Sequence, residues 1–424
     1  MMSNKKFIQW FNLQKKNQKI TCKIKNLKDL KYWLKNDNLI HHSSGKFFKI
    51  VGIDVKSNTK GKNWDQPIIV QKELGILGII KDKIKNRYLL QAKVEPGNKN
   101  KLQLSPTVQA TKSNYKRVHG GKKIPYLNFF LKNKNNFVSQ SEQGYRYLHK
   151  SNYNSLLIIK KNIKVLNNYY WLHMKDIIKI IKKRSIFNMD TISVFSTFIH
   201  KEKLDIPLYS MNKILKWLSK KDKIFYLSVK IKPLNKLRDW KVGNDKIEHK
   251  NKNHFSVVGI NVKSNKREIK EWDQPIIKGK KLALAGFIIC YFNNTKHYLC
   301  KYNKKPGLKK STLSCSVNTS DIINYKTNNK LTSFQNYLIN NFFLKKSSKR
   351  FKVVYENILS DEGGRFYNCE IKYKALLINK NLIFKLPNDY IWISQNQMIK
   401  MIQRKKIDIE ARLLFGCINI EKIK

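Results

Sequence analysis

Short apolar runs, broken by Gly, Asn and Lys, dominate the chain. "FFKIVGIDVKS" and "GILGIIKDKIKNRYLLQAKV" have the length and β-branched content of strands bounded by turns. "SLLIIKKNIKVL" predicts two short strands around a turn. From Trp171 to Lys183, "WLHMKDIIKIIKK" places its apolar residues at helical spacing, and "QNQMIKMIQRKK" repeats that spacing near the end. "NLKDLKYWLK" predicts a short helix or turn. These elements predict an α+β unit, a mostly antiparallel sheet with helices at its flank and end.

The pattern occurs twice. Trp10 aligns with Trp217, and Trp33 with Trp240. "VGIDVKSN" from Val51 aligns with "VGINVKSN" from Val258, and "WDQPII" from Trp64 with "WDQPII" from Trp272. Pro96-Gly97 aligns with Pro306-Gly307, "SEQG" from Ser141 with "DEGG" from Asp361, and Trp171 with Trp392. The order is kept while the spacing drifts, so the chain is read as a tandem duplication, too long and with too few copies for a solenoid. The stretch from Lys183 to Asn212 joins the copies. The expected domains are 1–206 and 207–424, divided near Pro207.

Composition narrows the class. With 424 residues, 41% of them apolar, the chain can build packed cores. No apolar run is long enough to span a membrane, and no secretory signal is expected from "MMSNKKFIQWFNLQKK". The six cysteines have neither CxxC pairing nor metal-finger spacing, so reduced thiols in a cytoplasmic protein are expected. The net charge of +59 has two readings. One is phosphate neutralisation by a nucleic-acid-binding protein. The other is codon bias, because Lys, Asn and Ile saturate the chain. The lysines are spread throughout and no zinc-finger, RRM or KH signature appears, so codon bias is preferred and no specific nucleic-acid partner is expected.

"WDQPI", "GILGII", "QAKVEPGN", "LQLSPTVQATKSNY", "SEQG", "FNMDT" and "DEGGRFY", in this order and across both halves, resemble the NDP-hexose 2,3-dehydratases of deoxysugar biosynthesis. The resemblance implies a tandem duplication of two Nudix-like domains and a homodimer. The glutamate-rich metal helix of Nudix hydrolases is absent from both halves, so no metal is expected. The implied reaction removes water across C2 and C3 of dTDP-4-keto-6-deoxyglucose and leaves a 3,4-diketo-2,6-dideoxy sugar. A base takes the C3 proton, acidified by the C4 ketone, donors hold the C4 oxygen, and an acid assists the C2 hydroxyl. No redox cofactor is required in principle.

The same resemblance distributes candidate roles. Trp33 and its copy Trp240 are candidates for stacking on the nucleobase, with a core role as the alternative. Trp64 and Trp272 read as structural. Thr107, Val108, Gln109, Ala110 and Thr111 offer hydroxyls and an amide to sugar or phosphate. Tyr115 is a candidate proton carrier, with His119 behind it. In "DEGGRFY", Gly363 and Gly364 permit close backbone approach, Arg365 suits a diphosphate, Glu362 is a candidate base and Tyr367 a holder of the C4 oxygen. "SEQGYRY" is read as a copy in which Glu142 matches Glu362 and Tyr145 replaces Arg365. In the second half Lys305 replaces Glu95, and Ser316 and Asn318 replace Thr107 and Gln109, which puts that site in doubt. Lys309, Tyr325 and Arg365 are its remaining candidate ligands. Asp190 and Arg412 read mainly as structural or dimer contacts. A non-catalytic nucleotide-sugar-binding or scaffold protein is the rival function.

Overall fold

The computed structural model describes residues 2–58, 63–116, 123–252, 254–267, 269–279, 282–320, 331–382 and 385–423. Two sets of elements follow the same order along the chain. Each opens with a helix, Met2–Asn17 and Met211–Ile224, which carry Trp10 and Trp217. Each continues into a smaller sheet and then a seven-stranded mixed sheet. The linking residues 201–210 form neither helix nor strand.

The halves exchange strands. Ile20–Lys25 of the first half pairs antiparallel with Ser256–Ser264 of the second. Leu227–Lys232 of the second pairs antiparallel with Lys49–Ser57 of the first. Gly52 and Gly259 sit under these crossings. A Cβ on Gly52 would lie 2.7 Å from Lys232 O, and one on Gly259 2.6 Å from Lys25 O.

The repeated "WDQPII" strands, within Trp64–Val70 and Glu271–Lys278, bind the exchange together. Trp33 Nε1 donates to Asp273 O and Trp240 Nε1 to Asp65 O, each at 2.8 Å. The Asp65 carboxylate accepts from Lys232 Nζ at 3.1 Å and Arg238 N at 2.8 Å. That of Asp273 accepts from Lys25 Nζ at 2.7 Å and Lys31 N at 2.8 Å. Burial alone would raise both carboxyls, but these donors outweigh it and hold them below the usual range. Trp64 Nε1 donates to Gln66 Oε1, and Gln66 Nε2 to Tyr145 O. Trp272, Gln274 and Gly364 O repeat that bridge.

In the first half's large sheet, Gly75–Asp82 pairs antiparallel with Arg87–Val94 and parallel with Ser151–Ile159. Ala283–Phe292, Thr295–Asn303 and Glu370–Ile378 reproduce this arrangement. "SLLIIKKNIKVL" forms one strand, not two. Strand Ser151–Ile159 ends at the polar Lys160–Asn162, and Ile163 and Leu166 then pack on the Phe130 cluster without pairing. "NLKDLKYWLK" becomes a 3-10 turn, Leu27–Asp29, and a short strand, Trp33–Lys35. The largest core spans both halves, from Leu77 and Phe195 to Phe415. At its centre helices Met189–Thr197 and Ile409–Ile418 pack closely. A Cβ on Gly416 would lie 2.6 Å from Ser196 Cβ.

Candidate active site

The Pro-Gly turn of each half packs on the glycine loop of the other. Gly97 N donates to Gly363 O at 2.8 Å, and Gly307 N to Gly144 O at 2.7 Å. A Cβ would lie 1.7 Å from Phe366 O at Gly97 and 1.8 Å from Tyr147 O at Gly307, so only glycine fits either turn. These contacts fix how the loops correspond and correct the sequence alignment by one residue. Gly144 corresponds to Gly363, Glu142 to Asp361, Gln143 to Glu362, and Arg146 to Arg365. The arginines agree: Arg146 stacks on Phe255 and Arg365 on Phe48, each 4.3 Å from the ring centre. Tyr145 therefore corresponds to Gly364 and does not replace an arginine.

A cavity of about 140 Å³ lies between the first half's large sheet and the second half's glycine loop. From the first half come Glu95, Gln109, Glu142, Tyr147, Lys150, Asn152 and Asp190; from the second come Arg267, Glu362 and Arg365. Asn152, at the start of its strand, donates from Nδ2 to Glu142 Oε1 at 2.7 Å. Gln109 Nε2 donates to Glu95 Oε1 at 3.0 Å, while the buried Glu95 Oε2 has no hydrogen-bond partner among the described residues. Asp190 lies in the first turn of helix Met189–Thr197, whose N-cap is Asn188. Tyr147 Oη donates to Glu362 Oε2 at 2.5 Å across the boundary of the halves. Lys150 donates to Glu73 O. Arg365 Nη1 holds Gly364 O at 2.9 Å, and its buried Nε has no hydrogen-bond partner among the described residues.

Burial dominates the electrostatics, and crowding of carboxylates adds to it most at Asp190. Burial raises the Glu142 carboxyl, opposed by Arg412, Lys150 and Asn152. Burial raises Glu362, opposed most by Arg365. Asp190 is pushed furthest, by burial and then by the charges of Glu142, Glu362 and Glu95. Burial lowers the Lys150 ammonium, and burial with Glu362 raises the Tyr147 phenol well above its ordinary range. One buried space thus holds an acid that favours its proton, carboxylates that can accept one, and cationic donors for a developing oxyanion. Among the described residues no group of three or more His, Cys, Asp or Glu side chains is arranged to hold a metal ion.

The corresponding place in the second half has different chemistry. Lys305 stands where Glu95 stands in the first half, Cys369 where Lys150 stands, and Ile371 where Asn152 stands. Lys305 is buried, with Nζ 2.6 Å from Glu410 Oε2 and 3.1 Å from Asp408 Oδ2. Ser320 Oγ donates to Glu410 Oε1 at 2.8 Å. The charges that could meet a ligand there meet each other.

The cavity gathers Glu142, Glu362, Gln109, Ala110, Thr111, Gly364 and Arg365 from the sequence candidates. The other described candidates lie elsewhere. Trp33 and Trp240 are buried in the core where the halves exchange strands. Thr107 Oγ1 donates to Leu89 O at 2.5 Å and accepts from Ile80 N at 3.0 Å, a fastening inside the sheet. Val108 and Tyr115 pack in the Phe130 cluster. Tyr145 lies beside Lys305, 5.5 Å from Nζ to the ring centre. Gly363 packs on Asn98, Tyr367 on Lys101, and Lys309 is exposed. Tyr325 and His119 fall outside the described residues. The cavity adds Tyr147, Lys150, Asn152 and Arg267. It also adds Asp190, which the sequence reading placed in a structural role. Its position after an N-cap asparagine was the available signal.

Crossed elements from two repeats, enclosing acids and cations, define a site for proton-transfer chemistry. The family model of the NDP-hexose 2,3-dehydratases matches residues 4–198 and 211–418, and the chain belongs to this family. A dTDP-4-dehydro-6-deoxy-alpha-D-glucopyranose 2,3-dehydratase of Amycolatopsis orientalis is 30% identical over 401 residues, covering 90% of this chain and 82% of that one. One of the same name from Saccharopolyspora spinosa is 28% identical over 426 residues, covering 92% and 85%. A third, from Streptomyces violaceoruber, is 27% identical over 419 residues, covering 93% and 92%. A solved ADP compounds hydrolase covers 33% of this chain and 69% of its own at 13% identity, with a TM-score of 0.21, too low to define a fold. Among the described residues no helix is long and apolar enough to cross a membrane.

Proposed function

We propose that the chain removes water across C2 and C3 of dTDP-4-keto-6-deoxyglucose, and that the reaction takes place in the first half's cavity. The carrying observation is the cross-half pair of Tyr147 and Glu362, facing Glu142 and Asp190. Glu362 takes the C3 proton, and the C–H electrons become the C3–C4 double bond of an enolate. Lys150 and Tyr147 stabilise the charge on the C4 oxygen. The enolate collapses to restore the C4 carbonyl, a C2–C3 double bond forms, and the C2 hydroxyl leaves as water with a proton from Asp190. Protonation at C2 then converts the C3 enol to the ketone. Arg365 and Arg267 are assigned to the diphosphate.

The second half is proposed to be the non-reacting copy, because Lys305, Cys369 and Ile371 replace Glu95, Lys150 and Asn152. The repeats are taken as 1–206 and 207–424, each Nudix-like, in a cytoplasmic homodimer. Light scattering on the purified protein tests the dimer.

The test of the reaction is an NMR time course with dTDP-4-keto-6-deoxyglucose in deuterated water. A 3,4-diketo product carrying deuterium at C2 is expected. Saturable binding of the nucleotide sugar without elimination would replace this reading with a non-catalytic binding protein.

A further inference from the structure

Arg412 is the largest of the fully buried side chains, and the reaction proposed above does not use it. It lies on the second half's helix Ile409–Ile418 and points into the first half. Nη1 donates to Ser193 Oγ at 2.6 Å, and Nη2 to Ser141 O at 3.3 Å, the carbonyl preceding Glu142. Ser193 Oγ donates in turn to Asn154 Oδ1 at 2.9 Å. Asn154 is on the strand whose Asn152 holds the Glu142 carboxylate. Ser193 is one helical turn beyond Asp190. The guanidinium therefore touches the carbonyl that precedes Glu142, the helix of Asp190 and, through Ser193, the strand of Asn152.

Its described hydrogen bonds go to hydroxyl and carbonyl oxygens, and its buried Nε has no hydrogen-bond partner among the described residues. A buried cation without a directly bonded carboxylate is costly, so its retention needs a reason. The duplication supplies one. Asn188 and Asp408 are the matching N-caps of the two central helices, so Ile192 occupies the position of Arg412 in the first half. By the same correspondence Leu413 matches Ser193, and Tyr373 matches Asn154. The polar chain exists only behind the first half's cavity. Behind the second half's Asp361, its counterparts are apolar or aromatic.

We infer that Arg412 is a positioning residue for Glu142, fixing the Ser141–Glu142 backbone and supplying the positive field behind the Glu142 carboxyl. The inference rests on the reading that this cavity is the reaction site. It also explains why the second half is needed by a site that lies mostly in the first.

Other charges bear on both groups. Glu142 is faced by Lys150 and Asn152 from its own hairpin and by Glu362 from the second half's loop. Asp190 on the neighbouring helix faces both Glu142 and Arg412. Arg412 itself is faced by Glu142, Asp190, Asp408 and Glu410, and Lys305 bridges the last two.

The test is a ¹³C NMR titration of glutamate carboxyls, with the Glu142 signal assigned by Glu142→Gln. In folded Arg412→Met the Glu142 midpoint moves up by about one pH unit, and in Arg412→Lys by less. An unmoved midpoint in a variant with native circular dichroism overturns the inference. Should Arg412→Met fail to fold, Ser193→Ala decides. The expected result is a several-fold loss of kcat with little change in KM, and wild-type kcat would overturn the inference. If the wild type does not turn over the sugar, the proposed reaction fails, while the carboxyl titration still decides the role of Arg412.

Discussion

Tyr147 and Glu362 come from opposite repeats, and the phenol of one donates to the carboxylate of the other at 2.5 Å. Their mates across the duplication are Phe366 and Gln143, which can form no such charged pair. The Tyr147 and Phe366 rings meet edge-on, 5.5 Å between centres, so the proposed base is mounted where the two copies touch. Tyr147→Phe keeps that ring packing and removes only the hydroxyl. It is expected to lower kcat on the order of 10- to 100-fold, below the 10²- to 10⁴-fold typical of losing a general base or acid. Steady-state kinetics with folded protein check this, and unchanged kcat would remove Tyr147 from the mechanism.

Lys305 bridges Asp408 and Glu410 in the second half. Burial alone would lower its ammonium, but the two carboxylates hold it above the ordinary lysine range. Lys305→Met leaves both acids buried without their cation. A stability loss of about 3–5 kcal/mol is expected in urea unfolding. A wild-type midpoint would mean the charges are solvated and the site is open.

Asp361 gives a pH dependence of the opposite sign from a surface carboxylate. Burial first, then Glu410, push its carboxyl up to about 7. A folded pKa above the unfolded value of 3.8 means the folded state holds the proton more tightly. Its contribution is complete below the unfolded pKa and is lost as pH rises through the folded one. Asp361→Asn is therefore expected to stabilise the protein more at pH 8 than at pH 4, with the gain levelling off above pH 7. Thermal melts across this range decide it. A gain that does not vary with pH would mean the carboxyl is ionised throughout.

Trp33 and Trp240 close the strand exchange through Asp273 O and Asp65 O. Trp33→Ala is expected to cost about 3–5 kcal/mol, as large-to-small changes in a core do. The folded fraction should keep its KM for the nucleotide sugar. A large rise in KM with unchanged stability would instead place Trp33 on the nucleobase.

The duplication and the element types were legible in the sequence because "WDQPII" encodes a bridge that works the same way twice. Its tryptophan holds a glutamine, and the glutamine holds the glycine loop. The strand exchange was not legible, because local periodicity does not reveal which half a strand joins. The loop alignment slipped by one residue because matched glutamates outweighed the backbone, whereas Gly97 and Gly307 fix the register through cross-half contacts. Lys150 was hidden among 87 Lys and Arg residues, where charge carries no positional information. Asp190 read as a structural residue because its closeness to Glu142 and Glu362 exists only after folding.

The most direct test of a shared site with Glu362 as its base is deuterium wash-in at C3 of dTDP-4-keto-6-deoxyglucose, comparing wild type with Glu362→Gln at saturating substrate. C3 exchange and elimination in the wild type are expected, with both lost in Glu362→Gln while the nucleotide sugar still binds. Exchange at an undiminished rate in Glu362→Gln would contradict the account and move the base to another carboxylate of the cavity.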